Sequence, residues 1–280
     1  MTVMIYLYEF IREKIELAYL RKHNDLKLTK KELEKTNEQM RNDIFLAKKI
    51  QENILHSSIS KNDKFIVDIR YKPLIEVGGD IYSIDLITEN KYRIFLADAT
   101  GHGVQAAFMT MLIVTEYNKI KNENITANLI LEKLNYLFIS KYEVLRNYFT
   151  CVIVDIDFTV NEISYSFAGH PYQVFISDNT LQTFKNSGVP MGFMSDSKYK
   201  LDKMLFKSGD KIILYSDGIY EEFSQSKEIL GIERMIKKTE SFAVGNINQC
   251  NENIFEFVKE WVGQGGFHDD ITLIGIEFKE

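Results

Sequence analysis

Glycine and proline are scarce in this sequence, 15 and 3 among 280 residues, and neither occurs before Pro73. The first 72 residues therefore hold nothing that breaks a helix or eases a tight turn. Cysteine is nearly absent. Cys151 and Cys250 cannot build a disulfide framework, which points to a reducing compartment. No run of about 18 apolar residues occurs, so no membrane span is expected. Residues 1–8 are apolar, but they stop at Glu9 and Arg12 and lack a basic leader and a small-residue cleavage site. They make a poor signal peptide and suit a cytoplasmic chain, or the cytosolic part of a larger membrane receptor. Positive charge is not in excess: 34 Lys/Arg face 40 Asp/Glu. That argues against nucleic acid as a partner.

What is present divides in two. Residues 1–60 hold eleven Lys/Arg and nine Asp/Glu, leaving 23 against 31 in residues 61–280. An apolar content of 45% is ample for a packed core, so a stiff, nearly neutral segment is expected ahead of an acidic globular domain. Residues 9–55 read as one helix. Leu26, Leu33, Met40, Ala47 and Ile54 recur every seven residues, the spacing of a left-handed coiled coil. The companion seam is poor, with Lys30 and Asn37 ahead of Ile44. The helix either dimerises or docks by one stripe on the domain behind it. Ser57 and Ser58 end the pattern, giving units 1–56 and 57–280.

From Lys64 the period shortens. Strands are expected near 65–71, 80–87, 91–97, 149–157, 161–168, 172–177, 211–216 and 271–276. Helices are expected at 103–121, 126–143, 229–239 and 246–262. Strands adjoin as hairpins rather than alternating with helices, which favours an antiparallel α+β layered fold over a doubly wound sheet.

Four aspartates sit where strands meet loops, most of them beside glycine: Asp80 after Gly78-Gly79, Asp98 before Ala99-Thr100-Gly101, Asp217 before Gly218, and Asp269, with Asp270, after Gly265-Gly266-Phe267-His268. A carboxylate ending a buried strand is costly unless paired, hydrogen-bonded or metal-bound. Several such ends converging would make a hard, anionic, oxygen-rich pocket suited to Mg²⁺ or Mn²⁺. Taken singly, each aspartate is more readily a turn or cap residue. As a set they are not, because Asp98 and Asp217 repeat one arrangement: apolar strand, aspartate, glycine turn. Gly101-His102-Gly103 opens a helix, and a glycine-rich turn there offers free N–H groups to an anion such as phosphate. The five histidines are scattered and neither cysteine lies near one, so no zinc site is expected. No P-loop and no Gly-x-Ser-x-Gly elbow occurs. Cys151, inside an apolar run, reads as a core residue.

Seven motifs follow in order: Val77-Gly78-Gly79-Asp80; Asp98-Ala99-Thr100-Gly101-His102-Gly103-Val104-Gln105-Ala106-Ala107; Ala168-Gly169-His170-Pro171; Gly188-Val189-Pro190-Met191-Gly192; Gly209-Asp210; Tyr215-Ser216-Asp217-Gly218-Ile219-Tyr220-Glu221; and Asp269-Asp270-Ile271-Thr272-Leu273. Together they resemble the SpoIIE/RsbU-type branch of the metal-dependent, type 2C-like (PPM) serine/threonine protein phosphatases, over about residues 45–280. Ala47-Lys48-Lys49-Ile50-Gln51-Glu52-Asn53-Ile54-Leu55 is similar to the helix preceding the catalytic core in that branch. The resemblance implies an αββα-layered sandwich with a two-metal site at one end. By motif position, Asp80, Asp98, Asp217 and Asp269 are its carboxylates, Asp98 bridges two Mn²⁺ or Mg²⁺ ions, and the Ala99 carbonyl faces the site. Asp270 is secondary, and Gly101, His102 and Gly103 are candidates near substrate. Where Phe-Tyr-Asp is common after the first aspartate, this chain has Ile81-Tyr82-Ser83, with Asp85 nearby. His102 has either a helix-start role or that of a general acid, and His170 is expected to hold a turn.

The resemblance further implies hydrolysis of a phosphoserine or phosphothreonine ester by metal-activated water. In many members of the branch the substrate is an anti-sigma-factor antagonist in a partner-switching pathway. The N-terminal helix is expected to form a homodimer and to relay a signal through residues 44–55. Two rivals stand beside this reading. A catalytically silent phosphoprotein-binding module would have lost a metal aspartate, and none is lost. A phosphatase of small molecules would prefer phosphorylated metabolites to a phosphoprotein.

Overall fold

The computed structural model describes residues 2–55, 63–101, 103–184 and 188–279. The chain forms two compact units, Met1–Leu46 and Ala47–Glu280. Helix α1, Thr2–Leu55, runs unbroken for 54 residues. It starts earlier than the expected residue 9, because residues 2–8 carry no helix breaker either. In the first unit the repeat residues Leu26, Leu33 and Met40 are exposed. In the second unit Ile54 packs against the core and Leu55 is buried. Among the described residues, no helix is long and apolar enough to cross a membrane.

The second unit holds two antiparallel five-stranded sheets. One has the order β1-β10-β9-β6-β7, from β1 (Phe65–Lys72), β10 (Ile271–Phe278), β9 (Lys211–Tyr215), β6 (Gln173–Ser177) and β7 (Thr180–Phe184). The other has the order β2-β3-β4-β5-β8, from β2 (Asp80–Thr88), β3 (Lys91–Ala99), β4 (Phe149–Asp157), β5 (Glu162–Ala168) and β8 (Asp202–Leu205). The period of two explains the layering. On β3, Ile94 and Leu96 face the other sheet with Val152, Val154, Phe167, Ile212, Leu214, Ile274 and Ile276. The alternate residues Phe95 and Ala97 face helices α2 (Val104–Ile120) and α3 (Ala127–Tyr142), alongside Cys151 and Ile153. Ile271 and Leu273 face α4 (Ile232–Ser241) and α5 (Ile247–Val262). With both faces of its central strands covered, each sheet sits between its partner sheet and a helix pair, giving the expected αββα sandwich.

Two local differences from the sequence reading have physical causes. Strands β7 and β8 are short edge strands whose residues, Phe184 apart, alternate between exposed and half-buried, too weak a pattern to stand out. Helix α4 begins at Ile232 rather than 229, because Ile229 is held in a β-bridge to Phe223 and Gly231 turns the chain at φ 79°. The Cys151 and Cys250 thiols are both buried in the core.

Candidate metal centre

Each sheet delivers aspartates to the same end of the sandwich. In one sheet, Asp80 at the start of β2 lies directly opposite Asp98 near the end of β3. In the other, Asp217 follows β9 while Asp269 and Asp270 precede β10, and the two strands are joined there by the Ser216 N–H donating to the Thr272 carbonyl at 3.1 Å. The two ends are stitched through one buried atom. Asp80 Oδ2 accepts from Ser216 Oγ and from Thr272 Oγ1, each at 2.6 Å. Asp270 ties the incoming loop, accepting from the Leu74 N–H at 2.7 Å and the Gly79 N–H at 2.5 Å. Backbone crowding makes two glycines necessary. A Cβ on Gly218 would lie 2.0 Å from the Asp270 carbonyl oxygen, and one on Gly79 would lie 2.9 Å from the Ala99 carbonyl oxygen. The Ala99 N–H donates to the Gly79 carbonyl at 3.0 Å, so the Ala99 carbonyl is held beside Asp80.

Electrostatics show how crowded the negative charge is. Burial raises the Asp98 carboxyl well above the usual carboxylate range, and the charges of Asp80, Asp217, Asp269 and Asp270 add to the rise. Asp80 is raised chiefly by burial, an effect opposed by its two hydroxyl donors. Burial and the charge of Glu221 raise Asp217, an effect opposed by backbone donors of its own turn and by the Asp98 side chain. Burial pushes Asp269 up to about 6. Asp98, Asp217 and Asp269 stand half-buried at the mouth, whereas Asp80 and Asp270 are buried beneath them. Among the described residues, no three His, Cys, Asp or Glu side chains close into a ready ligand shell. The carboxylates gather at one end of the sandwich, and the hydrogen bonds of Asp80 and Asp270 turn those two toward the protein. The donor set is hard anionic oxygen whose mutual repulsion a divalent cation would relieve, and it fits Mg²⁺ or Mn²⁺.

The remaining candidates separate. Gly101 and Gly103 take positive φ, 96° and 76°, and Gly103 caps the start of α2 without a side-chain acceptor. The Cβ of Ala106, in the first turn of that helix, lies 3.2 Å from where a Cβ on Gly79 would stand. His102 lies outside the described residues. Asp85 is turned to the Lys121 ammonium at 2.6 Å and to the Ser83 hydroxyl at 2.7 Å. His170 holds its turn through Thr150 Oγ1 at 3.0 Å, and Thr150 pairs with Asp98 on β3.

Sequence reasoning left several residues without a role. Ser216 stood inside a motif next to Asp217, and Thr272 inside another two residues after Asp270, which was the available signal. Gln51 is buried on α1: its side-chain amide Nε2 donates to the Gly78 carbonyl at 2.7 Å, and its Oε1 accepts from the Gly78 N–H at 3.1 Å. The same amide donates to Thr110 Oγ1 on α2 at 3.1 Å. Glu222, fully buried, accepts from the backbone of His268 at 2.8 Å and of Asp269 at 3.3 Å, and meets His268 Nδ1 at 2.8 Å. Nothing in a Glu-Glu pair after a turn announces that the second will be buried.

Residues 88–279 match the family model of stage II sporulation protein E. The chain belongs to the SpoIIE family. Phosphoserine phosphatase RsbP of Bacillus subtilis is 28% identical over 180 residues, 63% of this chain and 44% of RsbP. Phosphoserine phosphatase RsbU of the same organism is 22% identical over 244 residues, 86% of this chain and 72% of RsbU. The chain thus spans less than half the length of RsbP. The SiaA-PP2C domain of Pseudomonas aeruginosa superimposes with a TM-score of 0.76 at 22% identity, covering 87% of this chain and 99% of that domain. At that identity the likeness shows the fold: this SpoIIE-family chain has the PP2C sandwich.

Proposed function

We propose that this SpoIIE-family chain is a metal-dependent serine/threonine protein phosphatase that hydrolyses a phosphoserine or phosphothreonine ester. The observation that carries the reading is the convergence of Asp98, Asp217 and Asp269 over the buried, hydroxyl-anchored Asp80. These carboxylates would hold two Mn²⁺ or Mg²⁺ ions, with the Ala99 carbonyl beside them. When bound, such ions supply positive charge against the phosphoryl oxygens and lower the pKa of water. The protein's own task is to fix the carboxylates. Ser216 and Thr272 keep Asp80 aimed, Glu222 sets the turn of Asp269, and Asp270 holds the Gly78-Gly79 loop against the site. Gly103 precedes α2, whose first N–H groups lack intrahelical partners and are available to a phosphoryl oxygen.

The names of RsbP and RsbU support a phosphoserine protein as substrate, and an anti-sigma-factor antagonist in a partner-switching pathway is the proposed physiological class. The N-terminal helix is the proposed homodimer element, resting on its exposed seven-residue repeat, and the proposed place of action is the cytoplasm. Gln51 supplies a route for regulation, because it joins α1 to the backbone that precedes Asp80. The test is Mn²⁺-dependent hydrolysis of p-nitrophenyl phosphate and of a phosphoserine peptide, alongside Asp98→Asn and Asp217→Asn. Activity that survives both substitutions and EDTA would refute the reading. Deleting residues 1–43 should change the oligomeric state and the basal activity, and no change in either would make the helix a passive spacer.

A further inference from the structure

A groove opens beside the candidate centre. The Tyr148 carbonyl accepts a hydrogen bond from Thr100 Oγ1 at 3.0 Å, and the next residue, Phe149, pairs with both Ala99 and Met191. The loop after Met191 is pinned to α3 by the buried Asn135. Its Nδ2 donates to the carbonyls of Met194 at 2.7 Å and Ser195 at 3.2 Å, and its Oδ1 accepts from the Gly192 N–H at 2.9 Å. Gly192 takes φ 83°, and a Cβ there would stand 2.7 Å from the Asn147 carbonyl oxygen, so the close approach of this loop to the segment after α3 depends on glycine. Between this loop and residues 142–148 lies a cavity of about 720 Å³, walled by Phe138, Tyr142, Tyr148, Phe193 and Met194. Phe193 and Met194 are 66% and 55% exposed, although the loop that carries them is held at three points. Large apolar side chains presented rigidly to solvent mark a binding surface, because little ordering remains to be done on contact.

We propose that this groove takes an apolar side chain of the phosphoprotein substrate, close in sequence to the phosphoserine. This rests on the phosphatase reading above. The occupant follows from position and charge. The wall at Tyr148 touches Thr100, two residues beyond Asp98 on the same chain. Asp98 and Thr100 are two residues apart, at most ~7 Å along the chain, so the groove begins within a few extended residues of the centre. A substrate whose phosphoserine sits at the carboxylates therefore lays a residue three to five positions away into the groove. Arg146 is the one cation among the described residues that line it, and two carboxylates outnumber it. Glu143 and Asp196 also line it, which disfavours a run of acidic residues and favours an apolar anchor between the aromatic walls.

The experiment uses the full chain with Mn²⁺ and three probes: p-nitrophenyl phosphate, a phosphoserine peptide with alanine at every flanking position, and matched peptides with phenylalanine or leucine three to five positions to either side. Burying one apolar side chain is worth about tenfold or more in binding. The expected result is a KM at least tenfold lower for an apolar-flanked peptide than for the alanine peptide. That preference should be lost in Phe193→Ser and in Met194→Ser, read as a fall in the ratio of peptide to p-nitrophenyl phosphate kcat/KM. Hydrolysis with equal KM for all peptides, or a preference that both variants keep, overturns the groove and leaves the phosphatase reading standing. Failure to hydrolyse any of the probes overturns the phosphatase reading and the groove's role with it.

Discussion

The turn that carries Asp269 rests on one buried carboxylate, and removing it gives a sharp test of how the centre is built. Glu222 is fully buried and accepts the N–H groups of His268 and Asp269 while also meeting the His268 ring. A hydrogen bond to a charged acceptor contributes ~1.5–3 kcal/mol. The Asp269 bond, at 3.3 Å, is long and belongs at the bottom of that range or below it. Glu222→Ala strands two backbone donors and leaves a cavity, so a loss of about 3 kcal/mol in stability is expected. The loosened turn also frees Asp269. Residues that orient a metal ligand contribute about 10–100-fold to metal affinity, or roughly 1.4–2.7 kcal/mol. Glu222→Gln retains an acceptor for the two backbone donors and should keep most of that affinity. The assay is Mn²⁺ titration followed by electron paramagnetic resonance, with urea unfolding of the metal-free protein run in parallel. A Glu222→Ala protein that unfolds cooperatively and binds Mn²⁺ within twofold of the unsubstituted chain would refute the argument.

Three further outcomes are expected. Arg93 and Asp155 form a fully buried pair, at 2.6 and 2.7 Å, and Arg93 also donates to the carbonyls of Lys121, Glu123 and Ile125, closing the end of α2. Asp155→Ala should cost ~3–5 kcal/mol in urea unfolding, because it leaves the guanidinium buried beside carbonyls alone. A stability within 1 kcal/mol of the unsubstituted chain would contradict this. Burial holds the His170 imidazole neutral, lowering its pKa to about 3 against the opposing effect of the Tyr215 backbone. The unfolded chain takes up that proton below about 6.5 while the folded chain refuses it, so His170 reduces stability as pH falls through that window. Relative to His170→Asn, the unsubstituted chain should lose about 1.4 kcal/mol between pH 8 and pH 5.5. The comparison with the variant is needed because Asp269, raised to about 6, acts in the opposite sense. Parallel stability curves for the two proteins would refute the assignment. Gln51→Ala removes the three bonds that join α1 to Gly78 and Thr110, and should lower Mn²⁺-dependent activity at least tenfold with a smaller change in unfolding midpoint. Equal activity would show that α1 does not support the centre.

The layered fold was legible because its central strands are buried on both faces and its turns are written in glycine. The four strand-end aspartates were legible for the same reason: a charge beside glycine at the end of an apolar run is conspicuous. Strands β7 and β8 were not, since an edge strand has too little burial to shape its composition. The supporting residues were hardest to read. Ser216, Thr272, Gln51 and Glu222 are common residue types whose importance comes from partners 27 to 192 positions away.

By itself the sequence determined the unbroken N-terminal helix, through its lack of glycine and proline, and it determined which carboxylates would end strands. Local composition is enough for both, because helix continuity and strand ends depend on near neighbours. Only the tertiary structure decided how those carboxylates would differ. Asp80 and Asp270 are drawn under the surface by hydroxyl and backbone donors, while Asp98, Asp217 and Asp269 are left at the mouth. That division follows from which sheet end meets which, a relation set by packing two sheets face to face.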